Sequence, residues 1–126
     1  MPRRTFSTEG ASPPVAAYSQ GIAGAGLVFT AGQGGHDQVT GELPEGIEAQ
    51  TRRALENVDA ILRAGGSSLA SALKISVFIA DRGDYAAMNA AYAEYMPDAP
   101  AVRTTVQAGL GKGMLVEIDA IAIAAG

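Results

Sequence analysis

The stretch Leu73-Lys74-Ile75-Ser76-Val77-Phe78-Ile79-Ala80 constrains this chain more than any other. It is β-prone and nearly apolar, which makes it a strand central in a sheet rather than at an edge. A sheet with such a centre needs cover on both faces, and the chain offers two helices. Gly46 to Arg63 carries Ile47, Thr51, Ala54, Leu55, Val58, Ile61 and Leu62 as one stripe at helical spacing. Glu48–Arg52 and Asp59–Arg63 are i,i+4 pairs on the other side, and Gly65-Gly66 is the stop. Tyr85 to Tyr95 is the second helix, preceded by a turn over Asp81 to Asp84, with Asp84 as its N-cap, and ended by Pro97. Both helices are expected on one face of the sheet. The other face is then expected to be a subunit interface.

The remaining strands follow from alternation and glycine. Tyr18 to Ala23 and Leu27 to Thr30 form a hairpin around Gly24-Ala25-Gly26. Val102 to Gln107 and Leu115 to Ile123 are two more strands, with Gly109 to Gly113 as the turn between them. Arg4 to Ser7 adds a short extra strand. The pattern is α+β with a mixed sheet. The whole chain, 126 residues, fits one domain. Its aromatic content is only 6% while glycine numbers 16. Tight backbone packing and oligomerisation are the expected routes to burial.

Composition excludes several chemistries. There is no cysteine, so disulfides and thiolate nucleophiles are out, as are cysteine metal sites. The one histidine, His36, reads as a solvated loop residue, since no second histidine accompanies it. No metal site built on cysteine or on several histidines is expected. Acidic residues outnumber basic ones by 13 to 9, for a net charge of −4. That argues against a nucleic-acid partner. Arg3 and Arg4 are followed by no apolar run, so a secretory signal is not expected, and no stretch reaches a membrane span. The expected location is the cytoplasm.

Arg103 is the first candidate for chemistry. Alternation puts it on one face with Thr105, while Val102, Thr104 and Val106 take the other. It either presents its planar fork to a carboxylate or is an ordinary salt-bridged strand arginine. Glu117 shares a face with Asp119 and Ile121. In a hairpin centred near Gly111, Arg103 faces Asp119, with Glu117 diagonal to it. Glu117 then either activates water or forms a cross-strand ion pair. Asn89 lies on the second helix beside Tyr85, Met88, Tyr92 and Met96, where its amide meets backbone or a ligand. Tyr18 offers a phenol to a pocket or forms a core edge. Gly32-Gln33-Gly34-Gly35 lacks the remainder of a phosphate loop.

Taken together, these segments resemble one family. Tyr18-Ser19-Gln20-Gly21, Ala31-Gly32-Gln33, the helix around Gln50 to Asn57, Lys74 to Phe78, Met88-Asn89-Ala90-Ala91-Tyr92, Arg103-Thr104-Thr105-Val106 and Val116 to Ala122 resemble the RidA (YjgF) reactive-intermediate deaminases in order and spacing. The resemblance implies a chorismate-mutase-like fold and a homotrimer with clefts between subunits. It implies hydrolysis of enamine and imine intermediates, such as 2-aminoacrylate and small 2-imino acids, to 2-keto acids and ammonia without a cofactor. By the same resemblance Arg103 clamps the substrate carboxylate, Glu117 positions water, and Tyr18 and Asn89 line the cleft. Backbone groups at Gly32 and Thr105 orient the ligand.

The chain departs from the family pattern in four places. Thr105 stands where many deaminating members have cysteine. Gly34-Gly35 replaces an apolar residue and proline, which implies a looser cleft wall. Ala101 replaces the proline before the arginine. The stretch from Arg103 to Glu117 is one residue short. A non-catalytic trimer that binds small carboxylates, as a regulator or chaperone, is the alternative reading. The ribonuclease activity attached to some members is disfavoured by the charge and by the lack of a basic-aromatic strip.

Overall fold

The computed structural model describes residues 2–125. The apolar stretch becomes β4 (Ala72–Ile79), and it lies inside the sheet as its composition demands. The other strands are β1 (Arg4–Phe6), β2 (Gly21–Gly24), β3 (Leu27–Thr30), β5 (Val102–Gln107) and β6 (Val116–Ile123). Helices α1 (Ile47–Ala64) and α2 (Tyr85–Ala93) complete an α+β architecture. The sheet runs β1-β2-β3-β6-β4-β5, and β4–β5 is its parallel pair.

Both helices pack on one face. Ile75, Val77 and Ile79 of β4 and Val116, Ile118, Ala120 and Ala122 of β6 point into it. Leu55, Val58 and Leu62 of α1 and Met88 and Tyr92 of α2 close over them. Every one of these is at least 95% buried. The stripe predicted for α1 is the buried stripe observed. Its outer side differs from expectation in one pair. Asp59 does hold Arg63 at 2.7 Å, but Arg52 turns to Glu94 beyond α2, at 2.9 Å, rather than to Glu48.

The expected hairpin between β5 and β6 does not form. β4 lies between them, parallel to β5 and antiparallel to β6. The physical reason is the demand of β4 for burial on both sides. An apolar strand gains most with a neighbour at each edge, and α2 is long enough to return the chain for a parallel partner. The glycine-rich stretch after β5 therefore bridges over the end of β4. Ala108 N–H donates to Ile79 O at one end of this bridge, and Ala80 N–H donates to Leu115 O at the other.

Three smaller expectations also change. β2 begins at Gly21, because the buried Gln20 amide is committed to loop contacts with Thr8 and Ser12. Tyr18 consequently sits in the bend ahead of the strand. The β2–β3 turn uses Ala25 (φ 53) and Gly26 (φ 79) as its two left-handed residues, the geometry that matches strand twist. Asp84 does not cap α2 with its side chain, and it is Asp81 that accepts, from Gly83 N–H.

Among the described residues the opposite face has no helix. Val102, Val106 and Ile123 are 67%, 43% and 50% exposed there. Phe29, Phe78 and Ile121 lie half-buried between them. No helix among the described residues is long and apolar enough to cross a membrane.

Candidate active site

Register decides where each candidate side chain points. Arg103 pairs with Ile75 and Thr105 with Val77, so both share the helix-covered face. Glu117 pairs with Phe78 and Asp119 with Ser76, so both share the bare face. Arg103 and Glu117 are thus on opposite faces of one sheet. With β4 between their strands they are also about 10 Å apart laterally. The sequence-based pairing of Arg103 with Asp119 is therefore wrong, as is its diagonal to Glu117.

Each face carries part of the candidate set. On the helix side β5 is the edge strand, so Arg103 reaches past the core to α2. Its Nη1 donates to Asn89 Oδ1 at 2.9 Å and its Nη2 to the Tyr85 hydroxyl at 2.7 Å. The guanidinium lies 4.6 Å from the Tyr92 ring centre and 5.6 Å from that of Tyr85. Tyr85, Asn89 and Tyr92 stand at i, i+4 and i+7, one face of α2. All are neutral. The ion pairs among the described residues lie elsewhere, on Arg52, Arg53 and Arg63. Arg103 is therefore held rigidly without a counter-charge, and it retains N–H groups for a bidentate anion. A cavity of about 370 Å3 opens here, lined by Arg103, Asn89, Tyr92, Met96 and Pro100. The Tyr92 hydroxyl is buried without a hydrogen-bond partner, and its pKa is raised by that burial against the opposing pull of Arg103. Thr105 Oγ1 on the same face also lacks a partner.

The bare face carries the other half. A cavity of about 590 Å3 is lined by Tyr18, Gly32, Gln33, His36, Met114 and Glu117, among others. Gly32 is required by the carboxylate, because a Cβ there would lie 2.5 Å from Glu117 Oε2. Burial raises the pKa of Glu117, and the neighbouring charge of Asp119 raises it further. A carboxylate in that state is a stronger base than one in water.

The Gly34-Gly35 wall is tight rather than loose. A Cβ on Gly35 would stand 2.6 Å from the backbone O of Gln50 in α1, so the segment packs directly on helix backbone. Asn57, 1% exposed, donates to Gly34 O at 3.1 Å and to His36 O at 2.9 Å. His36 is half-buried in this cavity wall, not a freely solvated loop residue.

The structure thus groups Tyr18, Gly32 and Glu117 on one side, and Asn89, Arg103 and Thr105 on the other. The sequence places Tyr85 and Tyr92 beside Asn89 on the second helix but does not by itself assign them to Arg103. Their spacing with Asn89 was the available signal.

The chain is similar to known proteins over nearly its whole length. Residues 8–124 match the family model described as Endoribonuclease L-PSP. A RutC family protein of Pyrococcus horikoshii is 44% identical over 95% of this chain and 97% of its own length. A 2-iminobutanoate/2-iminopropanoate deaminase of Salmonella typhimurium is 37% identical over 95% of this chain and 97% of its own. Among solved structures, E. coli TdcF with bound serine superimposes with a TM-score of 0.90 at 35% identity, covering 97% of this chain and 99% of that one. With fold, spacing and sequence in agreement over nearly its whole length, the chain belongs to the RidA (YjgF) family.

Proposed function

We propose that this protein hydrolyses reactive 2-imino acids and their enamine tautomers to 2-keto acids and ammonia. The observation that carries the reading is Arg103, an oriented guanidinium with neutral partners and no counter-charge. Such a group recognises a small carboxylate. The relatives named as deaminases act on substrates of this class.

One chain cannot bring Arg103 and Glu117 to the same small molecule, because they occupy opposite faces. The working cleft is formed by two copies in a homotrimer of the chorismate-mutase-like kind, and the apolar bare face is the contact surface. Arg103, Asn89 and the β5 backbone at Thr105 come from one subunit. Tyr18, Gly32 and Glu117 come from its neighbour. Arg103 holds the carboxylate, so the imine carbon is presented at fixed geometry. Glu117 takes a proton from water as the oxygen attacks that carbon. A protonated imine carbon is already electrophilic, so the reaction needs no cofactor.

Subunit mixing tests the shared cleft directly. Arg103→Ala and Glu117→Gln are each expected to lose about 99% or more of the activity. Co-assembled in equal amounts, they should regain about a quarter of wild-type activity, the statistical share of clefts holding both intact residues in a closed ring. A mixture no more active than its parents would mean that the two residues do not serve one site.

The pH profile gives a second check. Glu117 must be ionised to act, and its pKa lies above the ordinary 4.5. As pH falls through that raised value Glu117 protonates and activity is lost. The acid limb of kcat/KM should therefore lie above pH 4.5. Asp119→Asn removes the like charge and should move the limb to lower pH.

A further inference from the structure

The cavity that holds Glu117 holds a second titratable group that the mechanism above leaves unused. The geometry points to His36 as the proton donor to the departing nitrogen, working opposite Glu117 across the imine carbon. This deepens the proposed hydrolysis and rests on it.

Three residues of backbone set the geometry. Gln33 exchanges two hydrogen bonds with Ile118, its N–H donating at 2.8 Å and its O accepting at 2.9 Å, so the chain is extended at this point. The Gln33 side chain is buried on the helix side. In an extended segment residues i and i+2 point the same way, so Gly32 and Gly34 both face the cavity. A Cβ on Gly32 would meet Glu117 Oε2 at 2.5 Å. A Cβ on Gly34 would meet Met114 Cε at 2.7 Å and then Nδ1 and Cε1 of His36 at 3.0 Å. The two side chains therefore stand on one face of the same strip, over positions roughly 7 Å apart. The strip thus brings a carboxylate and an imidazole to the same cavity wall, each seated against one of two alternate glycines.

The position of His36 is built into the fold. Asn57 anchors its carbonyl from within the core. Gly35 fixes the segment on α1, and the bare Cα of Gly34 gives the ring its seat. Among the described residues the imidazole has no hydrogen-bond partner, while much of the surrounding wall is apolar, with Pro13, Val15 and Met114. An imidazole can both donate and accept a proton, and here both nitrogens remain free.

The proton balance closes without any further reactant. Water forms the C–O bond, the C=N pair moves to nitrogen, and the water proton goes to Glu117. The product is a neutral amino alcohol. Protonated His36 gives its proton to the amino nitrogen. The C–N bond breaks with its pair leaving as ammonia, the C=O forms, and the hydroxyl proton returns to His36. Ammonia takes the proton from Glu117 and leaves as ammonium. The sum is protonated imine plus water to keto acid plus ammonium.

The test compares wild type with His36→Gln on 2-imino acids generated in situ by an amino-acid oxidase. The expected result is a fall in kcat of roughly 10²-fold with KM within about twofold, the signature of lost proton transfer rather than lost binding. Because His36 is the sole histidine, the wild-type protein has one imidazole Hε1 resonance, and added 2-oxobutanoate should shift it. Acceleration that His36→Gln fully retains, or a resonance unmoved at saturating 2-oxobutanoate, overturns the role of His36 alone. Wild type that accelerates no imine overturns the hydrolysis itself.

Discussion

Arg103→Ala will lower kcat/KM toward 2-imino acids by about 10² to 10³-fold, the scale of losing one partner of a desolvated, hydrogen-bonded charge pair. The effect will fall on ligand recognition and not on folding. Arg103 is half-buried, and its partners Asn89 and Tyr85 are neutral groups that water can satisfy. Arg103→Lys will recover only part of the loss, because an ammonium supplies charge without the planar fork and stacks less well on Tyr92. Keto-acid release measured against the spontaneous rate, beside a thermal melt, separates the two effects. An alanine variant within threefold of wild type would remove Arg103 from the site.

Asn57→Ala will cause a large loss of stability for a polar residue outside the reacting groups. Its amide is buried in α1 and donates to both Gly34 O and His36 O. Truncation leaves two carbonyls without donors, that of Gly34 buried and that of His36 partly buried. Unsatisfied groups of this kind cost about 1–3 kcal/mol each, so a loss of roughly 2–4 kcal/mol is expected. At this chain length that corresponds to a fall in Tm of roughly 10 °C. Asn57→Asp will not rescue it, since a carboxylate brings acceptors where donors are needed. Differential scanning calorimetry on the assembled protein is the measurement, and a Tm within about 2 °C of wild type would refute the anchoring role. Activity should fall as well, because the same two bonds hold the strip that seats Glu117 and His36.

Much of the fold was legible beforehand, for reasons that are local. The α1 stripe from Ile47 to Leu62 and the unbroken apolar run of β4 each have a period that only one secondary structure satisfies. β3, β5 and both helices lie where alternation and glycine placed them, to within about two residues. The grouping of Arg103 with Thr105, and of Glu117 with Asp119, was equally readable, since alternation along a strand needs no knowledge of its neighbours. The fate of Gly34-Gly35 was not. Two glycines read as slack in a sequence, whereas here they permit contact with helix backbone, which only the position of α1 reveals.

By itself the sequence determined which segments are strands and helices, which residues alternate together, and that the sheet has one face its own helices cannot cover. Periodicity and side-chain chemistry are properties of single segments, so they are written in the chain. Strand order was decided only in the tertiary structure. Whether β6 pairs with β5 or with β4 depends on the summed burial of all strands at once, and a one-strand change in order leaves every local pattern intact. That order inserted β4 between Arg103 and Glu117. The register that goes with it sends Arg103 to the helix side and Glu117 to the bare side, which is why the proposed cleft takes its two halves from two copies of the chain.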